Sequence, residues 1–124
     1  MEFDPMTPIW AQVAGHLRLE MVTGRLQPGE KLPSGRDLAL QFAINPNTAA
    51  RVYQELEAEG LCSTRRGLGT FVTADRARLE AIRLSLAREA AEQFLSRLDK
   101  LGLSPGDALR MVGEAAATED SQHP

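Results

Sequence analysis

Pro46 does most to restrict what this chain can fold into, because it stands in "INPNTAARVYQELEAEGL", Ile44 to Leu61, a run that otherwise reads as one helix. Proline lacks an N–H and pushes the residue before it out of the α region, so Asn45 must be non-helical and Pro46 must begin a new helix. Asn45 suits that place as an N-cap whose side chain accepts a bond from the first turn. Just upstream, "LPSGRDLALQFA" adds a second constraint. Leu32-Pro33 forces extended backbone, and Ser34 with Asp37 three residues on forms a capping box with the shorter acid. Leu38, Ala39 and Phe42 then allow only a short helix ending near Ala43. Two helices therefore meet with almost no chain between them. Val52, Tyr53 and Leu56 turn the second inward, Gly60 stops it, and Asn47, Thr48 and Arg51 are left on or near its exposed leading end. That arrangement is a helix-turn-helix.

Thr7-Pro8 is expected to open an earlier helix, with Thr7 as N-cap and the proline at the first helical position. Ile9, Val13, Leu17 and Met21 recur every four residues and predict one buried stripe, closed by Gly24, with Trp10 packing beside it and His16 at the boundary or surface. Pro28-Gly29 marks a turn. After Gly60, "LCSTRR" and "TFVTA" read as two strands around Gly67-Leu68-Gly69, whose glycines can take positive φ. A helix pair followed by a hairpin is a winged helix-turn-helix, with Cys62 as a small buried thiol in the first strand.

From Asp75 the composition shifts to long helix formers. Leu79, Ile82, Leu86, Ala90, Phe94, Leu98 and Leu101 keep a spacing of three or four residues over about seven turns, and Gly102 ends that helix. Ser104-Pro105 with Asp107 starts another, whose apolar side is Ala108, Leu109, Val112 and Ala116. Two helices cannot cover a stripe of that length, so those seven residues are expected to form a dimer interface. The expected fold is mainly α with a small β-hairpin. Residues 1–74 form the winged helix-turn-helix and residues 75–124 a short helical dimerisation region, whose tail after Ala117, "TEDSQHP", reads as disordered.

A chain of 124 residues with 43% hydrophobic content has room for a modest core but not for a large ligand-binding domain beside it. No apolar run approaches a membrane span and "MEFDPMTPIW" lacks the pattern of a signal peptide, so a cytoplasmic protein is expected. One cysteine cannot form an intrachain disulfide, and His16 and His123 are too isolated to suggest a metal site, so no metal or cofactor is expected. Catalytic signatures are missing too. There is no G-x-S-x-G, no phosphate loop and no H-E-x-x-H; "GLGTF" lacks the third glycine of a dinucleotide site, and Glu55, Glu57 and Glu59 read as the solvated side of a helix. The chain is not expected to be an enzyme.

A net charge of −3 runs against nucleic-acid binding, whose footprint is usually basic, but distribution matters more than the total. Arg36, Arg51, Arg65 and Arg66 lie between Ser34 and Val72, while Glu55, Glu57 and Glu59 gather late in the second helix. A helix N-terminus bearing Asn and Thr offers free N–H groups to phosphate and short side chains to base edges. Arg36 on the preceding helix and Arg65-Arg66 at the hairpin add planar forks for phosphate or guanine. The same residues also admit a blander reading, a capped helix and a solvated charge pair. A different class of function, a winged helix that binds protein through its wing, draws its support from the acidic balance.

The ordered combination "GRLQPGEKLPS", "NPNTAARVYQELEAEGL" and "TRRGLGTFV" resembles the DNA-binding domain of GntR-family bacterial transcriptional regulators from Pro8 to Val72, and the short C-terminal part with "LGLSPGDAL" resembles the YtrA subfamily. The resemblance implies a homodimeric repressor on a palindromic double-stranded DNA operator, dimerised through its C-terminal helices, and leaves room for an unidentified small-molecule effector. It implies DNA contacts by Arg36, Asn45, Asn47, Thr48, Arg51, Arg65, Arg66, Gly67 and Thr70. Gly35 replaces the larger residue common before the matching arginine. Pro46 and Ala50 stand where other branches often carry base-reading arginines, which moves the expected base recognition toward Asn47, Thr48 and Arg51.

Overall fold

Helices α2 and α3 start where the sequence marks a local cap. In the computed structural model, which describes residues 1–122, the helix α2 (Gly35–Phe42) starts with the Ser34 hydroxyl accepting from the Asp37 amide at 3.1 Å. Helix α3 (Pro46–Ala58) starts with Asn45 Oδ1 accepting from the Asn47 amide at 2.7 Å, with Pro46 as its first residue. Between them the chain reverses through Ala43, which takes the left-handed region at φ 53° without being a glycine. The Ile44 amide bonds back to the Ala39 carbonyl, closing the last turn of α2. Holding an alanine there costs roughly 1 kcal/mol.

The first helix corrects the expected start. Helix α1 (Ile9–Val22) has Pro8, not Thr7, at its N-cap, and the Pro8 carbonyl accepts the first helical bonds. The Thr7 hydroxyl is turned to Asp4, and Gln12 reaches back from inside the helix to the carbonyls of Asp4 and Thr7. A glutamine one turn in therefore does the ordering that a capping threonine was expected to do. Of the predicted stripe, Val13, Leu17 and Met21 are buried, but Ile9, the first residue of the helix, is 44% exposed.

The core of the first compact unit, Met1–Leu84, is formed where α1, α2 and α3 meet the hairpin. Val13, Leu38, Val52, Leu56 and Leu61 are fully buried, each stabilising the fold by about 1.5–3 kcal/mol relative to exposure. Gly60 closes α3 at φ 76°, letting the Leu61 amide return to the Leu56 carbonyl. The chain then enters strand β1 (Cys62–Arg65), which pairs antiparallel with β2 (Gly69–Val72), placing Cys62 opposite Val72 and Arg65 opposite Gly69. The free side of β2 is also occupied: Leu32 donates to the Thr70 carbonyl, Val72 donates to the Glu30 carbonyl, and Lys31 pairs with Phe71. The wing is thus a hairpin with a third, short edge segment that the sequence reading had treated only as a lead-in to α2. Cys62 is buried, and burial, helped by the Glu57 and Glu59 carboxylates, pushes its thiol up to about 12, so it is a packing residue with little thiolate at neutral pH.

Helix α4 (Arg76–Lys100) begins inside this first unit. Leu79 is a member of its core and Ile82 packs against it, so the start of the predicted interface stripe is already in use. Arg78 donates to the Glu59 carbonyl at 2.8 Å, fastening α4 to the end of α3. The second unit, from Ser85 onward, consists of the rest of α4 and helix α5 (Pro105–Gln122). Gly102 at φ 80° and the Leu103-to-Leu98 backbone bond stop α4, and Ser104 and Asp107 exchange side-chain-to-amide bonds at the start of α5. Leu98 and Ala108 are buried beside this turn, whereas Leu109 is 76% exposed and Val112 50%. Helix α5 continues through Gln122, so Thr118 to Gln122 are helical where composition predicted disorder; His123 and Pro124 lie outside the described residues. Among the described residues no helix is long and apolar enough to cross a membrane.

Because the first unit borrows Leu79 and Arg78 from α4, a fragment ending at Ala74 should be less stable than one ending at Leu84. The expected gap is about 2–5 kcal/mol, the range for losing one buried leucine, and Leu79→Ala in the full chain should reproduce much of it. Urea unfolding of the two fragments would decide; equal midpoints would mean that Leu79 adds nothing to this core.

Candidate nucleic-acid interface

Helix α3 presents the polar end that the sequence predicted. The Asn45 side chain is spent on the cap, leaving the exposed side chain of Asn47 and the half-exposed Thr48 on the first turn. The buried face of the same helix, Ala49, Val52, Tyr53 and Leu56, holds it against the core. Tyr53 also donates its hydroxyl to the Pro33 carbonyl, tying α3 to the lead-in of α2, and burial raises its pKa above the usual phenol range. The free amides at this helix end carry the partial positive charge of the helix dipole, which favours phosphate.

Arg51 has partners within the chain. Its guanidinium lies over the Trp10 ring at 4.3 Å from the centroid and 3.7 Å from the Glu55 carboxylate. Moving it to a DNA base would forfeit a cation–π contact worth about 0.5–1 kcal/mol at an exposed site. In this structure Arg51 joins α3 to α1. Arg36, in the first turn of α2, is exposed and its side chain forms no hydrogen bond or ion pair among the described residues, and the same is true of the Arg66 side chain.

On the wing, alternation along the strands sorts the predicted residues onto two faces. Arg65 lies over the Phe71 ring at 4.7 Å, on the outward face. Thr70 is on the other face with Cys62 and Val72: its hydroxyl is 3.1 Å from that of Thr64, which in turn donates to Glu57. Thr70 therefore stands apart from Arg65. The loop between the strands exposes Arg66, Gly67 at φ 78°, and Leu68, an apolar residue 61% exposed that the sequence reading did not single out. No side-chain hydrogen bond or ion pair among the described residues joins Arg36, the tip of α3 and the wing loop. They are separate presentations on separate elements.

The predicted interface residues are dispersed. Leu79 and Ile82 belong to the first unit's core, and Leu98 is buried at the α4–α5 turn. Leu86 is half-buried, while Ala90, Phe94 and Leu101 remain exposed. Phe94 instead lines an apolar groove of about 510 Å³ with Met111, Val112, Ala115 and Ala116, edged by Glu119. Periodicity along α4 could not show this groove, since all of its lining but Phe94 comes from α5.

Known proteins share this architecture. The family described as "Bacterial regulatory proteins, gntR family" matches residues 10–72. The "Uncharacterized HTH-type transcriptional regulator YhcF" of Bacillus subtilis (strain 168) is 38% identical over 111 residues, covering 90% of this chain and 92% of that protein. The "HTH-type transcriptional repressor YtrA" of the same strain is 35% identical over 98 residues, covering 77% and 75%. Among solved structures, a "GntR family transcriptional regulator from Listeria monocytogenes" superposes with a TM-score of 0.84 at 36% identity, covering 90% of this chain and 98% of that one. The DNA-binding domain of AraR, in complex with operator ORX1, superposes with a TM-score of 0.55 at 28% identity, covering 59% and 93%. The likeness to YhcF exceeds that to YtrA, so the expected subfamily rests on the weaker of the two.

The division of labour at the α3 tip can be measured without any ligand. Asn45→Ala removes the cap and should cost about 1 kcal/mol of stability. Asn47→Ala removes an exposed side chain and should leave stability within about 0.5 kcal/mol. Thermal unfolding of both variants checks this; similar losses in the two would mean that Asn47 is structural.

Proposed function

The chain belongs to the GntR family of bacterial regulatory proteins, and from that premise we propose that it is a dimeric repressor of the YtrA kind that occupies a two-fold symmetric DNA operator. The observation that carries the reading is the tip of α3: a proline-started, asparagine-capped helix end whose Asn47 and Thr48 are left free, flanked in sequence by the unpaired Arg36 and Arg66. An asparagine there can pair with the two-point edge of adenine in the major groove. Arg36 and Arg66 supply phosphate contacts, which position the protein without reading sequence. Arg66 and Gly67 on the wing loop suit the minor groove, whose concentrated negative potential attracts arginine. With Arg51 engaged by Trp10, base reading falls mainly to Asn47 and Thr48. The repressor role follows the name of YtrA, and operator binding is supported by the AraR complex.

Dimerisation is assigned to the second unit. Phe94, Met111 and Val112 present apolar surface from both α4 and α5, and Leu109 and Leu101 add to it. Such surface on a small unit is the usual mark of a protein interface. A second copy, placing the same groove against this one, would give the two-fold symmetry that a palindromic operator mirrors. Phe94 stands in that interface, while Leu79 and Ile82, engaged in the first unit's core, are left out of it. The groove is also where a small apolar effector would bear on assembly.

Affinity measured against a set of singly substituted duplexes from the protein's own promoter tests the reading. Asn47→Ala should flatten the preference at one position in each half-site, at a cost of roughly 1–3 kcal/mol on the matching base only. Arg66→Ala should weaken all sequences alike. Sedimentation at micromolar concentration should show a dimer, and Phe94→Asp should make it a monomer with weakened operator binding. If neither promoter nor unrelated duplex is bound at low salt, the wing serves some other partner and the proposal fails.

A further inference from the structure

Resting on the DNA-binding reading above, we propose that Lys31 is a further contact to the DNA sugar-phosphate backbone, so that the wing grips a phosphodiester with a two-cation face, Lys31 and Arg65, and not with its loop alone. Lys31 lies outside the helix-turn-helix and outside the hairpin. It reaches the wing only because the segment Glu30 to Leu32 pairs with the free side of β2.

Strand geometry fixes which way it points. Residues directly opposite one another across antiparallel strands project to the same face, and residues two apart on a strand do so as well. Lys31 is opposite Phe71, and Phe71 is opposite Ser63 on its other side, so these three share a face. Arg65, two residues beyond Ser63, joins them, which agrees with its guanidinium standing over the Phe71 ring. Gly69, opposite Arg65, is on this face too and leaves it bare. The Lys31 arm fills that space: a Cβ on Gly69 would come within 2.8 Å of Lys31 Cε and 3.6 Å of its Nζ. The ammonium is therefore laid along the sheet toward the loop. Any side chain at Gly69, already at φ 119°, would have to displace it.

Charge makes this arrangement informative. An exposed lysine on a protein surface is ordinarily just solvated. Here two cations share one face of a small sheet, and neither has a carboxylate partner among the described residues. The nearby acids are turned elsewhere: Glu57 accepts from Thr64 on the opposite face, and Glu30 accepts from the Gln27 amide. Like charges held together without an intervening anion repel, and a phosphate provides that anion. Lys31 acts as a point charge and carries no base preference, while Arg65 is oriented by Phe71.

The test uses the full chain and two labelled duplexes of equal length, one from its own promoter and one unrelated, titrated between about 50 and 200 mM salt. Lys31→Gln should weaken both by a similar factor, about threefold to tenfold, and lower the slope of log affinity against log salt by about one. Lys31→Arg should restore the slope, and the melting temperatures of both variants should match the wild type, since the ammonium supports no native contact. A wild-type slope in Lys31→Gln overturns the Lys31 contact alone. Wild-type protein that binds neither duplex overturns the DNA-binding reading on which it rests.

Discussion

Glu59 is where the first unit is tied together. Its carboxylate takes a two-point bond from Arg18 of α1, with distances of 2.8 and 2.7 Å, while its backbone carbonyl accepts from Arg78 of α4. Both bonds meet at the last turn of α3, one residue before the glycine that stops the helix. A half-exposed ion pair by itself is worth on the order of 1 kcal/mol, more when two-pronged as here. Its importance is positional: the far end of α3 is fastened to two neighbours, so the near end, with Asn47 and Thr48, is free of structural duty without being loose. Arg51 extends the same logic from the middle of the helix by leaning on Trp10. The charges late in α3 that make the chain look too acidic to bind DNA are among those that hold the helix in place for it.

Much of this was legible because it is local. Ser34 with Asp37, Asn45 with Pro46, and Ser104 with Asp107 each specify a helix start within four residues, and in each the side chain does what the spacing implies. The same rule failed at Thr7, where the ordering group is Gln12 and the helix begins a residue later. The wing's edge segment could not be read from "PGEKLP", since its partner Thr70 to Val72 is distant in sequence and three residues carry no periodic signal. Likewise the stripe from Leu79 to Leu101 told which side of α4 is apolar. It could not tell that Leu79 and Ile82 face one core, and Leu98 a different turn. Thr70 was legible as well: strand alternation puts it on the same face as Val72 and away from Arg65.

The two units solve the problem of a small chain in different ways. The first buries enough side chains, with help from the start of α4, to stand as a core of its own. Among the described residues the second has only Leu98 and Ala108 well buried, and it keeps Phe94, Leu109 and Val112 in contact with solvent. Its helices are stopped and started by firm local devices, the Gly102 turn and the Ser104–Asp107 exchange, which fix where they begin and end but do little to cover their sides. Local hydrogen bonding of this kind defines a hairpin; burial of its apolar flank needs more chain than the unit contains.

The turn between α2 and α3 has a further, evolutionary side. Ala43 adopts a backbone that glycine takes without strain, and alanine codons differ from glycine codons by one base. The chain therefore sits a single nucleotide step from a more relaxed turn at the entrance to α3. A lineage weakened by a damaging change elsewhere in the core has a ready compensation there, one that removes a single exposed methyl group and leaves the number of residues between the two helices intact.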